Sequence, residues 1–128
     1  MTDVHSSLSA EVIAYLQAQR LGRLATVDRD GAPQNNPVGF RYNGDLGTID
    51  IGGRNMGATR KFRNVAGNPK VAFVVDDLAS VQPWRPRCVE IRGRAEALRD
   101  VAAQSAGLSA EIIRIYPERV ISFGLDPT

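Results

Sequence analysis

Between Gly52 and Lys70 the chain reads GGRNMGATRKFRNVAGNPK, with five cationic side chains among small residues and no acid. This is a composition for holding an anion. Arg54, Arg60, Lys61 and Arg63 supply mobile positive charge, and Asn55 and Thr59 supply neutral hydrogen-bonding groups, the combination a phosphate takes. Gly52 and Gly53 let a ligand approach the backbone, and the helix predicted to follow adds N–H groups and the positive end of its dipole. The same residues have a second reading, as a short solvated helix. In it Ala58, Phe62, Val65 and Ala66 fall on one stripe that packs inward while Arg60, Arg63 and Asn64 face water. Pattern alone leaves both readings open.

Other chemistry is sparse. His5 is the only histidine and lies in an N-terminal end expected to fray, so neither a histidine-based metal cluster nor a nucleophile–histidine pair can be assembled. Cys88 is the only cysteine, which precludes an internal disulfide and fits a reducing compartment. Its setting, Arg87-Cys88-Val89-Glu90-Ile91, marks it as a small buried hydrophobe rather than a nucleophile. No residue is assigned as catalytic and no metal is expected, so an enzyme built on this chain needs a bound cofactor to carry the reaction.

The elements that must position the basic segment are short. Ser9 is placed as an N-cap for a helix over Ala10 to Leu16, with Glu11 in its first turn and Leu8 and Ile13 as a hydrophobic staple. Gly22 to Val27 reads as a strand closed by the Asp28-Arg29-Asp30-Gly31 turn. Ala32 to Tyr42 reads as a second strand, interrupted by Pro33 and Pro37 and therefore irregular or at an edge. Asn43-Gly44 reverses the chain into a third strand, Leu46 to Ile51. After the basic helix, Val71 to Val75 reads as a fully buried strand ended by Asp76-Asp77, and a loop then carries Trp84. Val89 to Leu98 alternates, with Val89, Ile91, Gly93, Ala95 and Ala97 on one face and Glu90, Arg92, Arg94 and Glu96 on the other. Asp100 to Ala106 and Ala110 to Tyr116 look helical, and Arg119 to Gly124 reads as a final strand. Six short, mostly antiparallel strands with small helices make a mainly β (α+β) barrel or sandwich.

A chain of 128 residues with 43% hydrophobic and 23% charged residues suits one domain, taken as residues 1–128. Net charge is only +2, so the basic excess is local, which favours a discrete anionic ligand over a nucleic-acid track. Aromatic residues are 6% of the chain and no strand clusters them, which also argues against stacking on nucleic-acid bases. No run reaches the length of a membrane span and the N-terminus lacks a signal-peptide pattern, so a cytoplasmic protein is expected.

Four pieces, in order, resemble a known superfamily. They are Leu24-Ala25-Thr26-Val27 with Asp30-Gly31-Ala32-Pro33-Gln34; Asn35-Asn36-Pro37-Val38-Gly39-Phe40; Thr59-Arg60-Lys61-Phe62-Arg63-Asn64-Val65 running into Asn68-Pro69-Lys70-Val71; and Val89-Glu90-Ile91-Arg92-Gly93-Arg94-Ala95. This order resembles the split β-barrel flavin and deazaflavin oxidoreductases, the pyridoxamine 5'-phosphate oxidase-like superfamily. The ending, Pro117 to Leu125, resembles its actinobacterial branch that uses coenzyme F-420, and the preference for arginine over lysine fits a GC-rich genome.

The resemblance implies an FMN-binding split-barrel fold and a homodimer with a cofactor groove at each subunit boundary. It implies that Arg54, Asn55, Met56, Thr59, Arg60 and Lys61 surround the cofactor's phosphate or anionic tail. Asn35, Asn36, Pro37 and Val38 would lie along its ring system, and Trp84, with Arg85 and Arg87, would reach the partner's site. The implied cofactor is F-420, with FMN as the alternative; haem fits least, because His5 is poorly placed as an axial ligand. The implied activity is hydride transfer between the cofactor and an electron-poor small molecule. Two non-enzymatic alternatives are a cofactor carrier without turnover and a nucleic-acid-binding barrel; no nucleic acid or membrane partner is expected.

Overall fold

The computed structural model describes residues 2–101 and 106–126. Its organising element is one antiparallel sheet of β1 (Thr2–His5), β2 (Leu21–Val27), β3 (Pro33–Gly39), β4 (Arg41–Asn43), β5 (Thr48–Ile51), β6 (Lys70–Ser80), β7 (Arg85–Leu98) and β8 (Ile112–Phe123). Seven of them pair in the order β3-β2-β6-β7-β8-β5-β4, and β1 pairs with β8 beside that path. Only Phe40 separates β3 from β4, so one bent strand begins on one margin of the sheet and ends on the other. With that strand counted once, the path has six strands, β1 lies beside it as a seventh, and the sheet curls into a split barrel. The Phe40 ring sits edge-on against Phe73, centroids 5.2 Å apart, and fills the bend from inside.

The core follows from strand alternation. Leu24 of β2, Phe73 and Val75 of β6, and Val89 and Ile91 of β7 point into the barrel and are buried, and Ile49, Ile51, Ile113 and Ile115 close it from the far side. The helix α1 (Ala10–Gln17) caps this core with Val12, Tyr15 and Leu16. Ser9 accepts the Val12 N–H as predicted, and the Tyr15 hydroxyl donates to Asp77 Oδ1 at 2.8 Å, tying α1 to β6.

A charge ladder sets the register at the other margin. Arg41, Asp50, Arg114 and Glu96 lie directly opposite one another on β4, β5, β8 and β7, alternating in sign. Asp50 is only 2% exposed, and its carboxylate accepts from Arg114 Nε and Nη2, Asn43 Nδ2 and Thr48 Oγ1 at 3.0–3.1 Å. Burial alone pushes the Asp50 carboxyl up, but these donors outweigh it and hold it below the usual carboxylate range.

Several sequence expectations are corrected. The end holding His5 is not frayed: β1 pairs Thr2 with Phe123 through His5 with Val120. The third strand starts at Thr48, because Asn43 Oδ1 accepts the N–H groups of Asp45 and Leu46 and holds Leu46 in the turn. The strand read as fully buried over Val71 to Val75 is buried on one face only, and Asp76 and Asp77 lie inside β6 rather than ending it. Ala110 to Tyr116 is not a helix; Ile112 to Tyr116 belongs to β8, where Ile113 and Ile115 pair with Ala97 and Ala95. Of the helix expected over Asp100 to Ala106, residues 102–105 lie outside the described residues. Among the described residues no helix is long and apolar enough to cross a membrane.

Candidate functional site

The basic segment forms a loop, a 3-10 turn over Met56–Ala58, and the helix α2 (Arg60–Gly67). Thr59 caps α2: its hydroxyl accepts the Phe62 N–H at 3.3 Å and donates to Met56 O at 2.7 Å. The stripe read from the sequence is displaced. Phe62 and Val65 are buried, but Ala58 and Ala66 are exposed, and Asn64, expected to face water, is buried. Asn64 Nδ2 donates to Thr26 Oγ1 of β2 at 3.0 Å and to Gln34 Oε1 of β3 at 2.9 Å. One amide thus ties the basic helix to the β2–β3 hairpin, beside the core anchoring of Phe62 and Val65.

Around this tie the structure assembles a charged surface. Arg60 and Arg63, with Asn64, form one wall of a cavity of about 440 Å³, and Asp28 and Asp30 of the β2–β3 turn form the other. Asp28 is fixed there because its Oδ1 accepts the N–H groups of Asp30 and Ala32, both at 2.9 Å. Among the described residues Arg54, Arg60, Lys61 and Arg63 have no acidic ion-pair partner. This donor set fits an anionic cofactor tail.

The four β3 residues divide by face. Register with β2 puts Asn36 and Val38 opposite Leu24 and Gly22, and Asn35 and Pro37 opposite Ala25 and Arg23. Val38 is buried in the core, so only its backbone can meet a ligand. Asn35 borders an outer cavity of about 360 Å³ floored by Ala25, Ala72 and Val74. β3 ends the strand path, so one margin of it has no strand partner among the described residues, as its prolines implied.

Arg54 and Asn55 are exposed on the loop, but Met56, at 1% exposure, is a core anchor whose N–H is held by Ser109 Oγ. Met56 therefore offers a tail no side chain, and the Thr59 hydroxyl is occupied as a cap. Trp84 lies apart from these groups, 66% exposed in the connection between β6 and β7. Arg87 is taken by Asp77, whose Oδ1 it meets through Nε at 2.8 Å, and it stacks over Tyr15 at 5.2 Å. Sequence reasoning missed Asn64 and the Ser109–Glu111 segment, which touches the basic loop from 50 or more positions away. No local pattern marks such residues, because their partners lie on other elements.

The remaining titratable groups do not build acid–base machinery. Cys88 is half-buried and outside the core cluster, not the fully buried hydrophobe expected, and desolvation, then Asp76 and Glu90, push its thiol up, which keeps it protonated. Arg87 holds the Asp77 carboxyl below the usual range, and burial with the Asp77 hydrogen bond pushes the Tyr15 hydroxyl far up. The described residues contain no cluster of three or more His, Cys, Asp or Glu side chains suited to a metal.

Comparisons with known proteins agree with this architecture. The chain is 49% identical over 115 residues to the 5a,11a-dehydrotetracycline/5a,11a-dehydrooxytetracycline reductase of Streptomyces rimosus subsp. rimosus, covering 89% of this chain and 81% of that one. A conserved hypothetical protein of Mycobacterium tuberculosis superposes with a TM-score of 0.73 at 20% identity, covering 91% of this chain and 84% of its own. An FAD binding protein of Mycobacterium smegmatis superposes with a TM-score of 0.66 at 22% identity, covering 95% and 97%. These two likenesses show the fold. The pyridoxamine 5'-phosphate oxidase family model matches residues 8–126, and the chain belongs to that family.

Proposed function

We propose that this chain is a deazaflavin-dependent reductase that uses coenzyme F-420 to reduce an electron-poor double bond in a small organic molecule. The observation that carries this reading is the group Arg54, Arg60, Lys61 and Arg63, without acidic ion-pair partners among the described residues, on a loop and helix tied through Asn64 to Gln34 of the margin strand β3. Set against Asp28 and Asp30 across the cavity, these four cations leave a net positive surface, which we read as favouring a long anionic tail over a single phosphate. The oxidoreductase class is supported by the family and by the 49% identical reductase, which is named for 5a,11a-dehydrotetracycline and 5a,11a-dehydrooxytetracycline. A polycyclic, conjugated carbonyl compound is the substrate class we favour.

Bound at this site, such a cofactor supplies the hydride. The chain's own residues bind, orient and exclude water. Arg60 and Lys61 at the start of α2 would hold the tail, with Arg54 and Asn55 of the loop as further donors. The β3 margin from Asn35 to Pro37 offers amides and backbone groups for the pyrimidine edge of a ring, and Ala25, Ala72 and Val74 provide a small, weakly polar floor beside it.

We also propose a homodimer, with Val4 and Phe123, exposed on β1 and β8, and Trp84 contributing to the boundary. Light scattering on the purified protein tests it, and a monomer at all concentrations refutes it. We place the protein in the cytoplasm without nucleic-acid or membrane partners, which fractionation of the source cells tests.

FMN is the second reading, since two of the four cations would satisfy its phosphate. Titration with F-420 and separately with FMN, followed by Trp84 fluorescence and cofactor emission, distinguishes them. Binding of F-420 with its reduced form consumed by conjugated enones supports the proposal. Binding of FMN alone moves the reading to a flavin enzyme, and F-420 binding without turnover on enones, quinones or nitro compounds makes the protein a carrier. Binding of neither refutes the site.

A further inference from the structure

The loop from Gly52 to Gly57 presents Arg54 and Asn55, yet it belongs to no strand or regular helix except through the 3-10 turn at its end. Its shape is imposed from outside. Below, the Met56 side chain is sunk in the core. Beside it, a segment from the far end of the sequence closes on the backbone. The Ser109 N–H donates to Gly53 O at 2.8 Å, the Ser109 hydroxyl oxygen accepts the Met56 N–H at 3.1 Å and lies 3.1 Å from Gly53 O, and Glu111 Oε1 accepts the Gly57 N–H at 3.2 Å.

Packing is close enough that a Cβ on Gly57 would lie 3.0 Å from Glu111 Cδ, and one on Gly52 would lie 3.2 Å from Leu108 Cδ1. Arg54 and Asn55 are therefore displayed between two clamped points, Gly53 on one side and Met56 with Gly57 on the other. A loop fixed before a ligand arrives loses less conformational entropy on binding.

We propose that Ser109 and Glu111 are positioning residues for the anion-holding loop, acting through Gly53, Met56 and Gly57 on Arg54 and Asn55. This rests on the cofactor reading above. Glu111 has two opposed effects: its carboxylate orders the loop by accepting the Gly57 N–H, and its negative charge repels an anion held by Arg54. The two effects separate by substitution. Glu111→Gln keeps an acceptor and removes the charge, whereas Glu111→Ala removes both.

The test is a titration of the full chain with F-420 and with FMN, using whichever the unaltered protein binds, at low and physiological salt, with thermal melting run in parallel. Ser109→Ala raises the Kd about tenfold, the equivalent of one lost hydrogen bond, and Ser109→Thr restores it. Glu111→Gln lowers the Kd about two- to fivefold, an effect that fades with salt, while Glu111→Ala raises it. A purely structural role shifts melting and moves both Glu111 variants in the same direction. Equal Kd values for Ser109→Ala and the unaltered protein, or the same sign for the two Glu111 variants, overturn the inference. Loss of binding in Arg60→Ala/Lys61→Ala alongside such results shows that only this inference has failed; retained binding in that double variant overturns the site reading as well.

Discussion

Asn64 and Thr26 stand 38 positions apart in the sequence and are joined by a 3.0 Å hydrogen bond from Nδ2 to Oγ1. Through that bond and a second to Gln34, the helix carrying Arg60 and Lys61 is tied to the hairpin carrying Asn35 to Val38, so one buried amide links the two halves of the candidate site.

Replacing Asn64 by alanine is expected to cost about 1–3 kcal/mol, because Thr26, which is fully buried, loses its donor. Urea denaturation measures it. The same variant binds the cofactor more weakly, since α2 keeps its core anchors Phe62 and Val65 but loses its polar tie to the hairpin; an unchanged midpoint together with unchanged affinity shows that the tie is not needed.

The double variant Arg60→Ala/Lys61→Ala separates binding from folding. Charge-assisted hydrogen bonds contribute about 1.5–3 kcal/mol each, so cofactor affinity falls by an order of magnitude or more while melting stays near that of the unaltered protein. Isothermal titration provides the first number and thermal melting the second. Unchanged affinity removes the anion site.

Asp50 gives the protein an acid limit. Its folded-state pKa lies below its unfolded value, so its contribution to stability is complete above the unfolded carboxylate range and is lost as pH falls through the folded pKa. Asp50→Asn leaves Arg114 without its buried counter-charge and is expected to cost about 3–5 kcal/mol at neutral pH. The variant's stability also varies less with pH below that range. Denaturation from pH 7 down to pH 2 checks both, and parallel curves for the two proteins contradict the assignment.

Neighbouring residues on β6 should respond in opposite ways. Phe73 is fully buried against Phe40, and Phe73→Ala is expected to cost about 3–5 kcal/mol. Val74 faces the outer cavity and is only half-buried, so Val74→Asp keeps the fold, although a strand buried on both faces would not tolerate it. Circular dichroism of the two variants decides this, and an unfolded Val74→Asp shows that the outer face is covered.

Much of this architecture was legible in local signals. Ser9 as a cap, the Asp28 to Gly31 turn, the Asn43-Gly44 reversal, the prolines that mark β3 as a margin, and the alternation from Val89 to Leu98 each act over a few residues, where backbone sterics and short-range hydrogen bonds decide the outcome. The acid-free basic segment was equally plain, because charge composition is a property of the chain itself. What the tertiary structure alone decided are the pairings between distant segments. The stretch from Ala110 to Tyr116 has a helical pattern but from Ile112 onward it is part of β8, where Ile113 and Ile115 complete the barrel opposite Ala97 and Ala95 rather than lining a short helix. Asn64 reads as a wet helical residue until Thr26 and Gln34 arrive to satisfy it, and Ser109 and Glu111 carry no signal until the fold sets them against Gly53, Met56 and Gly57. A buried polar group is recognisable only with its partners, and here the partners come from other parts of the chain.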